Sequence, residues 1–427
     1  MRFEAISAGK PVSFGTLPNG MRYYGRFDQV ANAAGIGVKL GSMWDPSGKR
    51  GLAHLVEHML CRSARKYTDA EVNLTLRRYL GGSDSDINVR IDKYSTFYGH
   101  LMLLKPTHMR TCFDLFANML NDRQLDQQGL DVEKSRIQNE YRLRGIDLME
   151  EVAWDALHEM AYTRNPVRNR IDCMPEELAT IKLGDVRAFV RKYYVPQNMF
   201  MIVLGPRFKV AERMARQYFE KFGEQGQAGP DYDGSDGYAP LKESAFRTID
   251  RPGINQHHVM LGFPIEEFGG KNHYALNVLM HLVEHLLYDR LQEQDRGVYR
   301  NPVQLSRSKF HGLFTVHFAS MHDDFDESGV QAVLSLCKQL REQLTDPAAF
   351  QAALHRTFYE WVGPFVNDAN ELIELIIDSV ANGDEDLVLL HAGRTELEKV
   401  TRGTIMNLAN QYLTPEFLKV HIRPAPG

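Results

Sequence analysis

Near the middle of this 427-residue chain, the stretch from Gly223 to Gly237 carries five glycines and one proline within fifteen residues. Glycine leaves φ unrestricted and proline lacks an N–H, so neither a helical nor a strand period can run through it. It cuts the chain nearly in half, and the two halves end alike. Tyr194-Val195-Pro196-Gln197-Asn198-Met199-Phe200-Met201-Ile202-Val203 recurs in pattern as Tyr412-Leu413-Thr414-Pro415-Glu416-Phe417-Leu418-Lys419-Val420-His421-Ile422. Each reads as the end of a helix, a proline turn and a strand. The expectation is a tandem duplication of an α+β unit of about 200 residues. This places an N-terminal domain at 1–222, a linker at 223–240 and a C-terminal domain at 241–427.

Hydrophobic residues make up 43% of the chain, enough for a large core in each half. Fifty Lys and Arg stand against fifty-five Asp and Glu, a net charge of −5, which supplies no basic field for a nucleic-acid partner. Residues 1–10 contain no apolar core of a secretory leader, and no run reaches the ~18 apolar residues of a membrane span. A cytoplasmic protein without a membrane partner is expected. Cys61, Cys112, Cys173 and Cys337 form no CxxC pair. That argues against a disulfide framework and against a thiolate zinc cluster, so any metal must use His and carboxylate.

Local signals place the elements. Asn19-Gly20 reads as a hairpin turn before a strand, with a second strand near 35–40. Thr68-Asp69-Ala70-Glu71 is a capping box opening a helix, Gly81-Gly82 precedes two strands running to about Leu103, and Pro106 begins another helix. Residues 131–144 read as a charged helix. The second half repeats strands near 257–263 and 312–319 and a helix over 328–344.

Residues 54–58 read His-Leu-Val-Glu-His. Four residues apart on a helix, His54 and His58 project from one face, so two imidazoles can reach one ion. Glu57 lies beside them, positioned to take a proton from water polarised by such an ion. The order H-x-x-E-H is a zinc peptidase signature, the inverse of HExxH. A catalytic site of this kind needs a third ligand. Glu133 and Glu140, seven residues apart and so about two turns along one helix face, provide candidates: Glu140 as ligand and Glu133 as its support. Taken alone, such a pair is more usually a solvated helix face.

The same five letters return at His281, Glu284 and His285, inside a long helical stretch over 274–293. The 82-residue step from His58 to Glu140, counted from His285, lands on Asn367, and the nearest carboxylates, Glu371 and Glu374, are three apart. This copy reads as a polar helix face. Neither a GxSxG elbow nor a P-loop is present, which removes acyl and phosphoryl transfer of those kinds.

The residues Leu17-Pro18-Asn19-Gly20, Gly41-Ser42, Gly51 through Leu60, Gly81-Gly82 before Tyr98-Gly99, and Glu133 through Glu140 resemble the inverted-zincin peptidases of the insulinase and pitrilysin type (family M16), relatives of the mitochondrial processing peptidase. Asp289-Arg290-Leu291 and Gly297-Val298-Tyr299 extend the resemblance weakly into the second half. It implies two homologous domains, each an antiparallel-rich sheet covered by helices, in a LuxS/MPP-like metallohydrolase fold. It implies Zn2+ on His54, His58 and Glu140, Glu57 as general base, Glu133 as supporting acid, and a peptide substrate cleaved as an unfolded chain in a closed chamber. Short relatives assemble two chains into that chamber, so a homodimer or a heterodimer with a related chain is expected.

Two departures accompany it. Asp84-Ser85-Asp86-Ile87-Asn88-Val89 stands where the family has an Asn-Ala-x-Thr run on the edge strand that pairs with substrate. Of the family's Arg and Tyr that hold the substrate carbonyl, Tyr299 is present as a catalytic candidate but Gln292 occupies the Arg position, so Arg290, Arg296 or a partner chain's Arg/Tyr pair is needed to supply the charge. The expected activity is that of a zinc metalloendopeptidase, with a non-catalytic scaffold or peptide-binding subunit as the alternative.

Overall fold

In the computed structural model, residues 11–425 are described apart from 28–31, 63–65, 80–88, 103–105, 122–123, 145–148, 172–174, 206–207, 224–231, 233–237, 295–302, 322–324 and 366–368. The first half contributes β1 (Ser13–Thr16), β2 (Arg22–Phe27), β3 (Asn32–Val38), β4 (Val89–Ile91), β5 (Thr96–Met102) and β6 (Met199–Gly205) to one sheet, in the order β1-β2-β6-β3-β5-β4. The second half forms β7 (Ala245–Arg251), β8 (His257–Pro264), β9 (Val303–Ser308), β10 (His311–Ser320) and β11 (Leu418–Pro424), ordered β7-β11-β8-β10-β9. With β1 set aside, the two orders coincide strand for strand. The parallel pairs coincide too, β2 with β6 and β7 with β11, while the remaining pairs are antiparallel. The repeat seen at the ends of the two halves is thus a repeat of topology.

Strand β6, Met-Phe-Met-Ile-Val-Leu-Gly, is buried at every position, because both faces of the sheet are covered. Alternation divides its side chains between two cores. Met199, Met201 and Val203 join Leu55, Val56 and Met59 of the helix Leu52–Leu60, whereas Phe200, Ile202 and Leu204 face a core built largely from the second half. That core includes Leu372, Ile373, Ile376 and Ile377 of the helix Ala369–Ala381, which packs against β3. The exchange is reciprocal. The first-half helix Met149–Ala161 buries Met149, Ala153, Ala156 and Leu157 against Met260, Leu313, Leu418, Val420 and Ile422 of the second sheet. Each half therefore lends a helix to its neighbour's sheet. Lys39 Nζ to Glu385 Oε1 at 2.5 Å and Tyr162 Oη to the Gly312 carbonyl at 2.9 Å add polar ties across the junction.

The Asn-Gly hairpin is present: β1 and β2 pair antiparallel, and Thr16 opposite Arg22 leaves a five-residue loop around Asn19-Gly20. Leu17 is 2% exposed, so the loop opens to seat that side chain in the core. Asn19 fastens it, its Nδ2 donating to the Phe219 carbonyl at 2.7 Å and its Oδ1 accepting from Met21 N at 3.2 Å. The Thr68–Glu71 capping box is present as read, with Thr68 N to Glu71 Oε2 at 2.9 Å and Glu71 N to Thr68 Oγ1 at 3.3 Å.

Candidate metal centre

The Leu52–Leu60 helix starts at a residue few side chains could replace. Gly51 has φ +86°, and its N–H donates to Asp45 Oδ2 at 2.6 Å while Ala53 N donates to Oδ1 at 2.7 Å. One buried carboxylate thus satisfies two of the helix's unpaired amides from outside the helix. Burial pushes the Asp45 carboxyl up to about 8, opposed by those two N–H groups.

From this anchored start, Leu55, Val56, Met59 and Leu60 fill the core, and His54, Glu57 and His58 emerge together along the other side. The imidazole rings lie 4.8 Å apart, centroid to centroid. Their Nε2 atoms meet one oxygen of Glu140 on the helix Gln127–Arg144, at 3.8 Å from His54 and 3.5 Å from His58. Glu57 Oε2 sits 4.0 and 3.8 Å from the same two nitrogens. Tetrahedral zinc with bonds of about 2.0–2.2 Å has ligand atoms about 3.3–3.6 Å apart, so the donor set His54, His58 and Glu140 fits a zinc-sized ion. The ligand atoms of His54, His58 and Glu140 all lie within 4.8 Å of one another, close enough to share one ion.

Glu133 stands behind His58 at 1% exposure. Its Oε2 is 3.2 Å from His58 Nδ1, and its Oε1 accepts from Arg62 Nη1 and from Arg136 Nη1, each at 3.0 Å. Burial pushes the Glu133 carboxyl up, but the hydrogen bonds from His58 and Arg62 outweigh it and hold it below the usual carboxylate range. An acceptor at Nδ1 places the ring proton there and leaves the Nε2 lone pair toward Glu140. Burial alone lowers the His58 pKa, yet hydrogen bonds to Glu133 and Glu140 and the charge of Glu57 carry it up to about 10. Three carboxylates around two imidazoles favour a cation, and a proton on His58 fills that role when no metal does.

Arg62, one helical turn beyond His58, was not among the residues singled out from the sequence, though its i+4 spacing carried the signal. Tyr299 and Arg296 lie outside the described residues, as do residues 84–88 and the side chain of Gln292. Arg290 donates to Gln339 Oε1 on a neighbouring helix.

The second HLVEH lies on the helix His273–Gln294 and is organised differently. His281 Nε2 meets Glu360 Oε2 at 2.6 Å, Arg356 Nη1 meets Glu284 Oε2 at 3.0 Å, and Arg356 Nε lies 3.5 Å from Glu360 Oε1. His285 is exposed. Glu360 follows His281 by 79 residues, and the same step separates Glu133 from His54. Four of the five site positions are therefore repeated, with Asn367 at the fifth, and the guanidinium of Arg356 supplies the positive charge among the acids. The 82-residue step to the ligand position passes over Glu360 and lands on Asn367, so only the 79-residue step carries the signal of this correspondence.

Fold and donor set together define a two-sheet α+β protein with a His/His/Glu metal-binding geometry of the inverted H-x-x-E-H kind. Residues 28–174 match the family described as Insulinase (Peptidase family M16), and residues 180–356 match Peptidase M16 inactive domain. A probable zinc protease PqqL of Haemophilus influenzae is 27% identical over 199 residues, 45% of this chain and 21% of that one. The mitochondrial-processing peptidase subunit beta of Neurospora crassa is 24% identical over 210 residues, 48% of this chain and 42% of its own length. This chain spans less than half the length of both. A protease from Helicobacter pylori, known by crystal structure, superposes with a TM-score of 0.87 at 17% identity, over 97% of this chain and 100% of that one. The chain belongs to the insulinase-type peptidase family.

Proposed function

We propose that the chain is a zinc metalloendopeptidase that cleaves unfolded peptides. The observation that carries this reading is the convergence of His54, His58 and Glu140 on one point, with Glu57 Oε2 within 4.0 Å of both imidazole nitrogens. Zinc held by those three side chains supplies Lewis acidity to water and to a peptide carbonyl. Glu57, 7% exposed, takes the proton from the attacking water on Oε2 and passes it to the leaving amine. Glu133 keeps His58 in the tautomer whose Nε2 faces the site. Strand β4, at the edge of its sheet and packed beside the Leu52–Leu60 helix, offers its outer edge to an extended substrate. Completion of a chamber by a second chain of the same family, which also brings an Arg/Tyr pair, is part of the proposal.

The test is hydrolysis of an unstructured fluorogenic peptide by the purified chain, with zinc content measured on the same sample and Glu57→Gln beside it. Activity lost in the variant with zinc retained is the expected result. Hydrolysis persisting in Glu57→Gln would refute the mechanism. A second reading, a non-catalytic subunit, is favoured by one observation: the second half matches a domain described as inactive. It predicts no zinc and no hydrolysis.

A further inference from the structure

Where the two halves meet, a cavity of about 340 Å³ opens beside β9. It is lined by Tyr94 and Trp154 from the first half and by Phe268, Trp361, Arg307 and Asp378 from the second. None of the metal-site residues lines it. Two charges on its wall stand out.

Arg307, 9% exposed, donates from Nη1 to the His273 carbonyl at 3.2 Å, and among the described residues no carboxylate pairs with it. Burial lowers its pKa to about 10, with Glu266 and Tyr412 acting the other way only from a distance. Asp378, on the Ala369–Ala381 helix, keeps accessible surface, and its carboxylate has no hydrogen-bond donor among the described residues. Desolvation by the surrounding protein raises its pKa above the usual carboxylate range, reinforced by Asp92 and Glu374 and opposed by Arg90, which is itself paired with Glu374. A guanidinium and a carboxylate share one cavity wall, and they do not pair with each other. A buried guanidinium kept without a counter-ion is costly and would be relieved by a ligand's carboxylate, while Asp378, exposed on the same wall, is open to the ligand's ammonium.

We infer that this cavity binds a small zwitterion, a free amino acid or a dipeptide, with its carboxylate on Arg307, its ammonium on Asp378 and its side chain against Trp154 and Trp361. The volume is at the lower end of ligand cavities, about 300–1,000 Å³, which admits one or two residues and excludes longer peptides. The amide of Asn277, 8% exposed, gives its Nδ2 to the His273 carbonyl at 2.8 Å, leaving its oxygen for the ligand's ammonium or amide. The inference is independent of the peptidase reading and uses no metal.

The experiment is titration of the full chain, stripped of zinc by chelation so that the His54 cluster is silent, with glycyl-phenylalanine. Intrinsic fluorescence reads it, since two of the chain's three tryptophans line the cavity. Phenylalanine alone, the N-acetylated dipeptide and the dipeptide amide form the comparison set. The expected result is saturable binding of the free dipeptide or of phenylalanine, whichever fits better, and binding at least about tenfold weaker once either charge is capped. Asp378→Asn should weaken the free dipeptide by a similar factor and leave the N-acetylated form unchanged. Arg307→Gln should do the same with respect to the amide. If that variant does not fold, the accessible Asp378 carries the test by itself. No saturable change up to about 10 mM, or equal binding of the capped forms, overturns the inference.

Discussion

Glu133 touches three partners at once, His58 with one oxygen and Arg62 and Arg136 with the other. Its role is to hold the imidazole, and loss of such a partner typically costs 10- to 100-fold in metal affinity. Glu133→Gln should therefore keep the fold and lower zinc affinity by about 10- to 100-fold, read by competition with a chromogenic chelator. Wild-type affinity would mean that His58 is oriented by packing alone. Much of this site was legible at residue scale, because two imidazoles at i and i+4 with a glutamate between them have few other uses of equal specificity. The Glu133 and Glu140 pair was offered by spacing and strengthened by the family pattern, since two acids seven apart mark a face without naming what it meets. Asp45 carried no pattern at all: its contact to Gly51 and Ala53 depends on how an irregular turn folds back.

At the scale of elements, the helix Met149–Ala161 is the instructive case. Its apolar positions 149, 153, 156 and 157 form one stripe, which states that a face is buried but not against which sheet. Chain proximity favours the first sheet, and the structure places the helix on the second. The reason is reciprocity: the Ala369–Ala381 helix already packs on β3 of the first sheet, so both apolar stripes find partners only by crossing. Leu157 is fully buried there and is the nearest side chain to the position a Cβ on Gly262 would occupy. Leu157→Ala should destabilise the protein by about 2–5 kcal/mol in denaturant unfolding, more than a helix docked loosely on a neighbouring domain would give. A loss below about 1 kcal/mol would show that the crossing contributes little.

The crossing has a consequence for the whole molecule. Gly223 to Gly237 looks like a hinge between independent units, and cutting such a linker ordinarily yields two folded domains. Here residues 1–222 alone would expose both the outer face of β6, with Phe200, Ile202 and Leu204, and the buried stripe of the Met149–Ala161 helix. Residues 238–427 alone would expose the β8, β10 and β11 face that this helix covers, together with the Ile373 and Ile377 side of its own donated helix. Several side chains on each side lose their cover, and at about 1.5–3 kcal/mol for each large apolar group that exceeds the net stability of an ordinary domain. Each fragment expressed alone should therefore aggregate or remain expanded in size-exclusion chromatography. The two expressed together should co-elute as a folded complex of the full chain's mass, because the interlock needs the surfaces and not the peptide link. Two fragments that fold separately, each with a sharp unfolding transition, would show that the donated helices are secondary. The interlock also bears on the site. The Leu52–Leu60 helix and Glu140 both belong to the first half, but the sheet beneath them is backed by the second, so the donor atoms of His54, His58 and Glu140 keep their spacing only while both halves are in place. Zinc uptake by the co-expressed pair, and its absence from the 1–222 fragment, would tie the metal centre to the junction.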